Sequence, residues 1–150
     1  MTPRQIDLVK TSFGRITPMK EQAAELFYCR LFELDPSLRL MFRSDMTEQK
    51  QKLMVAIALV VANLEKMESL RPTVLELGRR HRGYYVQPRH YDVVGEALLW
   101  TLEIGLGSTW TKEMAEAWGA AYQILAATMI EGSESPEPRR SARPVAASIY

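Results

Sequence analysis

Cysteine is almost missing from this chain: Cys29 is the only one among 150 residues. That excludes an internal disulfide and any metal site built from several thiolates of one chain. Histidine is scarce too, with only His81 and His90. They form no His-x-x-x-His pair, and no Glu-x-x-His pair exists, so a zinc or di-iron site of protein ligands is not expected. Net charge is close to nil, 19 Lys+Arg against 18 Asp+Glu for a sum of +1. Bulk attraction to nucleic acid or to an anionic membrane is thereby excluded. The longest apolar run, Leu53 to Ala62, has ten residues, against the ~20 that a membrane helix needs. No Asn-Gly or Asp-Gly turn occurs and apolar/polar alternation is not sustained, so strands are not expected. There is no Gly-x-Ser-x-Gly elbow, and Gly105-Leu106-Gly107 lacks the third glycine of a phosphate loop. The opening Met1–Gln5 is polar with no apolar stretch behind it. Together with the lone cysteine, this predicts a cytoplasmic, reducing location.

What is present describes a helical domain. The hydrophobic fraction of 47% and charged fraction of 25% are ordinary for a globular protein. A chain of this length buries roughly 68–70% of its unfolded surface in one core. Pro3, Pro18, Pro36, Pro72 and Pro88 each precede a stretch of helical period, and proline is tolerated at the first helical position. Thr2, Thr17 and Asp35 stand before three of them as N-caps, and Thr2 with Gln5 fits a capping box. Seven helices are predicted. The first carries Ile6, Val9, Phe13 and Ile16, and the second Ala23, Leu26, Phe27 and Leu31. A short turn holds Leu38 to Phe42. Longer helices follow over about 47–67, 72–82, 88–106 and 112–131. Residues 1–131 form the predicted domain. Residues 132–150, with three prolines and with Arg139, Arg140 and Arg143, read as a flexible tail or a small basic docking segment.

Few residues carry chemistry. His81 and His90 lie in the charged stretch Arg79–Tyr91. A surface placement is the ordinary expectation for each, and His90 is expected on the surface at the start of its helix. One cofactor needs only a single histidine: a haem iron takes four bonds from porphyrin and one axial imidazole. The face Gln49, Leu53, Ala56, Ile57 and Val60 is apolar except for the glutamine, which sits either at a rim or in position for a ligand. Gln51 falls on the opposite side. Cys29 is expected as a packed thiol.

Six segments, in order, resemble one family. They are Leu26-Phe27-Tyr28, Asp35-Pro36-x4-Met41-Phe42, Gln49-x3-Leu53-Met54, Leu77-Gly78-Arg79-Arg80-His81, Tyr91-x3-Gly95-Glu96-x-Leu98-Leu99 and Ala117-Trp118-x3-Tyr122. The chain resembles bacterial single-domain globins related to the haem domain of flavohaemoglobins, and most of all the Hell's Gate globin type. The resemblance implies an all-α globin fold, a three-over-three helical sandwich around haem b. It implies His81 as proximal iron ligand, Phe42 stacked on the porphyrin, and Tyr28 and Gln49 as distal donors with Leu53 beside them. Leu77, Val86, Val94 and Leu98 would line the haem, and Lys52 or Arg80 would reach a propionate. Tyr91 matches a tyrosine tied to the axial histidine. The partnering glutamate of flavohaemoglobins falls on Ser133, between Glu131 and Glu134. The implied function is reversible, high-affinity dioxygen binding, with CO and nitric oxide as further ligands. The alternatives are a nitric oxide dioxygenase served by a separate reductase, or a gas or redox sensor.

Overall fold

The computed structural model describes residues 1–42, 45–83 and 86–134. Six α-helices account for most of them: α1 Pro3–Ile16, α2 Lys20–Leu34, α3 Met46–Ala62, α4 Met67–Gly83, α5 Pro88–Leu106 and α6 Lys112–Glu134. Short 3-10 turns cover Thr17–Met19, Pro36–Met41, Leu64–Lys66 and Gly107–Thr109. No strand occurs among the described residues, and none of their helices is long and apolar enough to cross a membrane.

The caps explain the helix starts. Thr2 and Gln5 form the reciprocal capping box that opens α1. Asp35 accepts from the Ser37 N–H at 3.1 Å, and Asp45 accepts from the Thr47 N–H at 3.0 Å. Thr17 behaves otherwise than expected. Its hydroxyl turns back onto the Phe13 carbonyl at 3.0 Å, closing α1 rather than opening the next helix. The expected helix over 47–67 ends early, at Ala62. The side-chain amide of Asn63 donates to the Leu59 carbonyl at 2.9 Å and leaves the helical path. Pro72 lies inside α4 and not at its start. It forgoes one backbone bond, and the helix continues through it to His81.

The helices pack in pairs, α4 on α6, α2 on α5, α1 on α6 and α2 on α3. One core centres on Val9, Ile16, Leu102, Ala117 and Trp118. Inside it the Trp118 indole donates to the Ser12 hydroxyl at 2.8 Å. A second core joins Phe27, Tyr28, Leu31, Leu53 and Ala97. A third joins Leu70, Val74, Tyr91, Ala126 and Met129. Helix α6 extends past the expected domain end, so residues 132–134 are helical and Gly132 is buried. The rest of the expected tail, with Arg139, Arg140 and Arg143, lies outside the described residues. Cys29 is exposed, not packed: on α2 the inward positions belong to Phe27, Tyr28 and Leu31.

Candidate functional site

A cavity of about 920 Å³ opens between α3 and α4 and is floored by α5 and α6. Its walls are mostly aliphatic. Helix α3 contributes Leu53, Ala56, Ile57 and Val60, and α4 contributes Val74 and Leu77. Val94 and Leu98 come from α5, Val86 from the segment before it. Such a space suits a large, flat, mainly apolar guest with a few fixed polar contacts.

His81 stands in this wall near the end of α4 and is buried. Its Nδ1 donates to the Leu77 carbonyl one turn back, at 2.6 Å. That bond fixes the tautomer and leaves the basic lone pair on Nε2, the arrangement of a metal-ligating imidazole. Burial holds the ring down to a pKa of about 4, with Arg80 adding to the effect and the Leu77 bond opposing it. The imidazole is therefore neutral near pH 7, as a ligand must be.

Tyr91 lines the same cavity from α5. Burial pushes its phenol up to about 12, so the hydroxyl keeps its proton. That hydroxyl is buried and has no partner among the described residues. The α6 carboxylates do not take it. Glu131 pairs with Arg71 at 2.5 Å, and the Ser133 hydroxyl turns to the Ile130 carbonyl at 2.7 Å. The Tyr91 carbonyl is held by the Tyr122 hydroxyl at 2.6 Å.

His90 is a correction: it is buried, 3% exposed, and lies in the cavity wall. Its Nδ1 accepts from the Gln87 N–H at 2.9 Å, which folds the ring back under the start of α5. Nε2 then carries the proton, and it too is buried without a partner among the described residues.

Two cations mark the mouth. Lys52 on α3 lies 3.5 Å from Glu48, and Arg80 on α4 lies 3.6 Å from Glu76. All four line the cavity. Gln51, expected to face solvent, is exposed at the same mouth.

Three expected residues stand off the cavity wall. Tyr28 is buried in α2, with its ring 5.5 Å from Phe42 and 5.9 Å from Phe32. Phe42 is half-buried at the end of its 3-10 turn and also meets Phe32, at 5.7 Å. Gln49 is 2% exposed, one turn before Leu53. The structure thus gathers His81, Leu53, Leu77, Arg80, Val86, Tyr91, Val94, Leu98 and Lys52 around one space, and leaves Tyr28, Phe42 and Gln49 behind it. Sequence reasoning missed the α6 side of the wall, where Tyr122, Ala126 and Met129 line the cavity. Their i, i+4, i+7 spacing was the available signal.

The residues fit a haem. The space is apolar, one buried imidazole could bind a metal through Nε2, a phenol with no partner among the described residues lines the same space, and cations at the mouth could meet a guest's carboxylates.

A family model described as Globin matches residues 25–129. A neuroglobin from Dissostichus mawsoni is 30% identical over 146 residues, covering 88% of this chain and 92% of its own length. A flavohemoprotein from Rhizobium meliloti is 32% identical over 144 residues, covering 94% of this chain and 36% of the flavohemoprotein. This chain therefore spans about a third of that relative. Among solved structures, a bacterial globin from Campylobacter jejuni superposes with a TM-score of 0.76 at 25% identity, covering 89% of this chain and 96% of that one.

Proposed function

The chain belongs to the globin family, and we propose that it is a haem b protein that binds dioxygen reversibly in the cavity between α3 and α4. Haem would supply an iron able to take a protein imidazole and a small gas. The observation that carries the reading is His81: a buried, neutral imidazole, oriented by the Leu77 carbonyl, in the wall of a 920 Å³ apolar cavity.

Each side chain then has a task. His81 would hold the iron through Nε2. Leu53, Ala56 and Val60 keep water from the opposite face. Tyr28 and Gln49 stand off the cavity wall, so they would serve as donors to a polarised ligand only after a side-chain shift brings them to it, and Phe42 braces Tyr28. Hydrogen bonds to a charge-bearing acceptor contribute ~1.5–3 kcal/mol each, which corresponds to roughly a 10- to 150-fold gain in affinity per bond. Lys52 and Arg80 hold the cofactor's carboxylates at the mouth.

The Tyr91 hydroxyl favours gas binding over turnover. No α6 carboxylate takes it among the described residues, so a histidine on iron would receive no push through a Tyr91–carboxylate chain. Nitric oxide dioxygenation by the haem-loaded chain, with electrons returned by a separate reductase, is the second reading, supported by the likeness to a flavohemoprotein. The test is to cycle the reduced protein between air and argon. Repeated uptake and return of dioxygen without oxidation supports the binder. Oxidation on the first exposure, with sustained nitrate production when nitric oxide and a flavin reductase are added, overturns it.

A further inference from the structure

Helices α4 and α6 touch through backbone at two points, at Leu75 and at Gly78 of α4, just before His81. A Cβ built on Gly78 would stand 1.8 Å from the Met129 carbonyl oxygen. A Cβ on Gly132 would stand 2.0 Å from the Leu75 carbonyl oxygen. An ordinary contact needs at least 3.4 Å. The obstacles are main-chain atoms of helices, so no rotamer change relieves them. With any larger residue at either place the two helices must part by more than an ångström.

The glycines are reciprocal. Gly78 lets α6 approach α4, and Gly132 lets α4 approach α6. Between the two contacts on α4 lies Leu77, whose carbonyl takes the His81 Nδ1 proton at 2.6 Å. His81 itself is three residues beyond Gly78. Leu75, Leu77, Gly78 and His81 are consecutive parts of one helical turn or its neighbour, so the backbone that orients the imidazole is the backbone held against α6. Across the cavity on α3, Val55 and Leu59 line the same space and are 69% and 46% exposed.

The geometry points to a positioning role for Gly78 and Gly132: their joint sets the depth and angle at which His81 reaches into the cavity. This rests on the proposed haem reading. Neither glycine lines the cavity, and both act through the placement of α4. An ångström of misplacement at a bonded centre is chemically large.

The experiment uses haem-loaded protein. Gly78→Ala and Gly132→Ala are prepared singly and together, with Ser12→Ala as a control that removes the buried partner of Trp118 in the α1–α6 core. The readouts are the iron–histidine stretching band of the ferrous protein by resonance Raman and the rate of haem loss to an acceptor apoglobin. Both glycine variants are expected to shift the band in the same direction and to speed haem loss at least ~10-fold. The double variant is expected to shift little more than either single one, because one joint is being opened. Ser12→Ala is expected to lower the melting temperature and leave the band where it is. An unmoved band in glycine variants that still bind haem would overturn the positioning role. A wild-type chain with no Soret band would overturn the haem reading instead. Should the glycine variants fail to fold, amide hydrogen exchange on the unaltered holoprotein decides. The amides of residues 77–81 and 129–132 are expected to open together as one unit. Independent opening of the two segments would contradict the joint.

Discussion

The phenolic hydroxyl of Tyr122 on α6 donates to the backbone carbonyl of Tyr91 on α5 at 2.6 Å, and its ring lies against Gly95 one turn further on. A Cβ at Gly95 would come within 2.7 Å of the Tyr122 ring, so the small residue makes room for the donor. This pair fixes the start of α5, where Tyr91 and His90 enter the cavity wall. Tyr122→Phe removes a half-buried hydrogen bond and is expected to cost ~0.5–1.5 kcal/mol. Urea unfolding of apo-protein measures it, and an unchanged midpoint would deny the bond a structural role.

Removing Tyr28's hydroxyl addresses the distal side. Tyr28→Phe keeps the ring among Phe27, Phe32 and Phe42 but removes the donor. The dioxygen off-rate is expected to rise at least ~10-fold, the equivalent of one such bond. Carbon monoxide, which carries less charge when bound, is expected to change less. Stopped-flow release of each gas reads both, and equal effects on the two would remove Tyr28 from the distal role.

The expected fold was legible in punctuation and period. Proline positions, the Thr2–Gln5 box and the apolar spacing located the helices because local backbone chemistry decides helix starts. They erred where a single side chain diverts the chain, as Asn63 does at the end of α3, or where a proline sits inside a helix, as Pro72 does. The placement of His81 and of the α3 face that holds Leu53 around one cavity was legible. It was not legible for His90, because a capping hydrogen bond to Gln87 turned a surface residue inward. The approach of α4 to α6 at Gly78 and Gly132 was also hidden. Which residues meet across two helices depends on packing, not on spacing within either one.

Ser12 and Trp118 offer a test of the core remote from the cavity mouth. Ser12→Ala leaves the Trp118 N–H buried without its acceptor, and the expected loss is about 1–3 kcal/mol. Chemical denaturation measures it. A loss below a few tenths would mean that the indole finds another acceptor.

At the mouth, Lys52 and Arg80 are each paired to a carboxylate one turn back on their own helix. Charge at such exposed positions acts weakly, so Lys52→Ala or Arg80→Ala alone is expected to speed haem loss only a few-fold, within ~1 kcal/mol. Raising the salt concentration is expected to shrink the difference. A salt-independent effect of a hundredfold would contradict a solvent-screened placement of these two charges.

The most direct test of the central claim, that His81 holds the iron of a haem in this cavity, is a haemin titration of the purified chain followed by its optical spectrum. The account predicts a sharp Soret band saturating at one haem per chain, with split visible bands on reduction in air. It predicts that His81→Ala loses that spectrum and regains it with added imidazole. A wild-type chain that gives no Soret shift, or a His81→Ala spectrum indistinguishable from wild type, would contradict it.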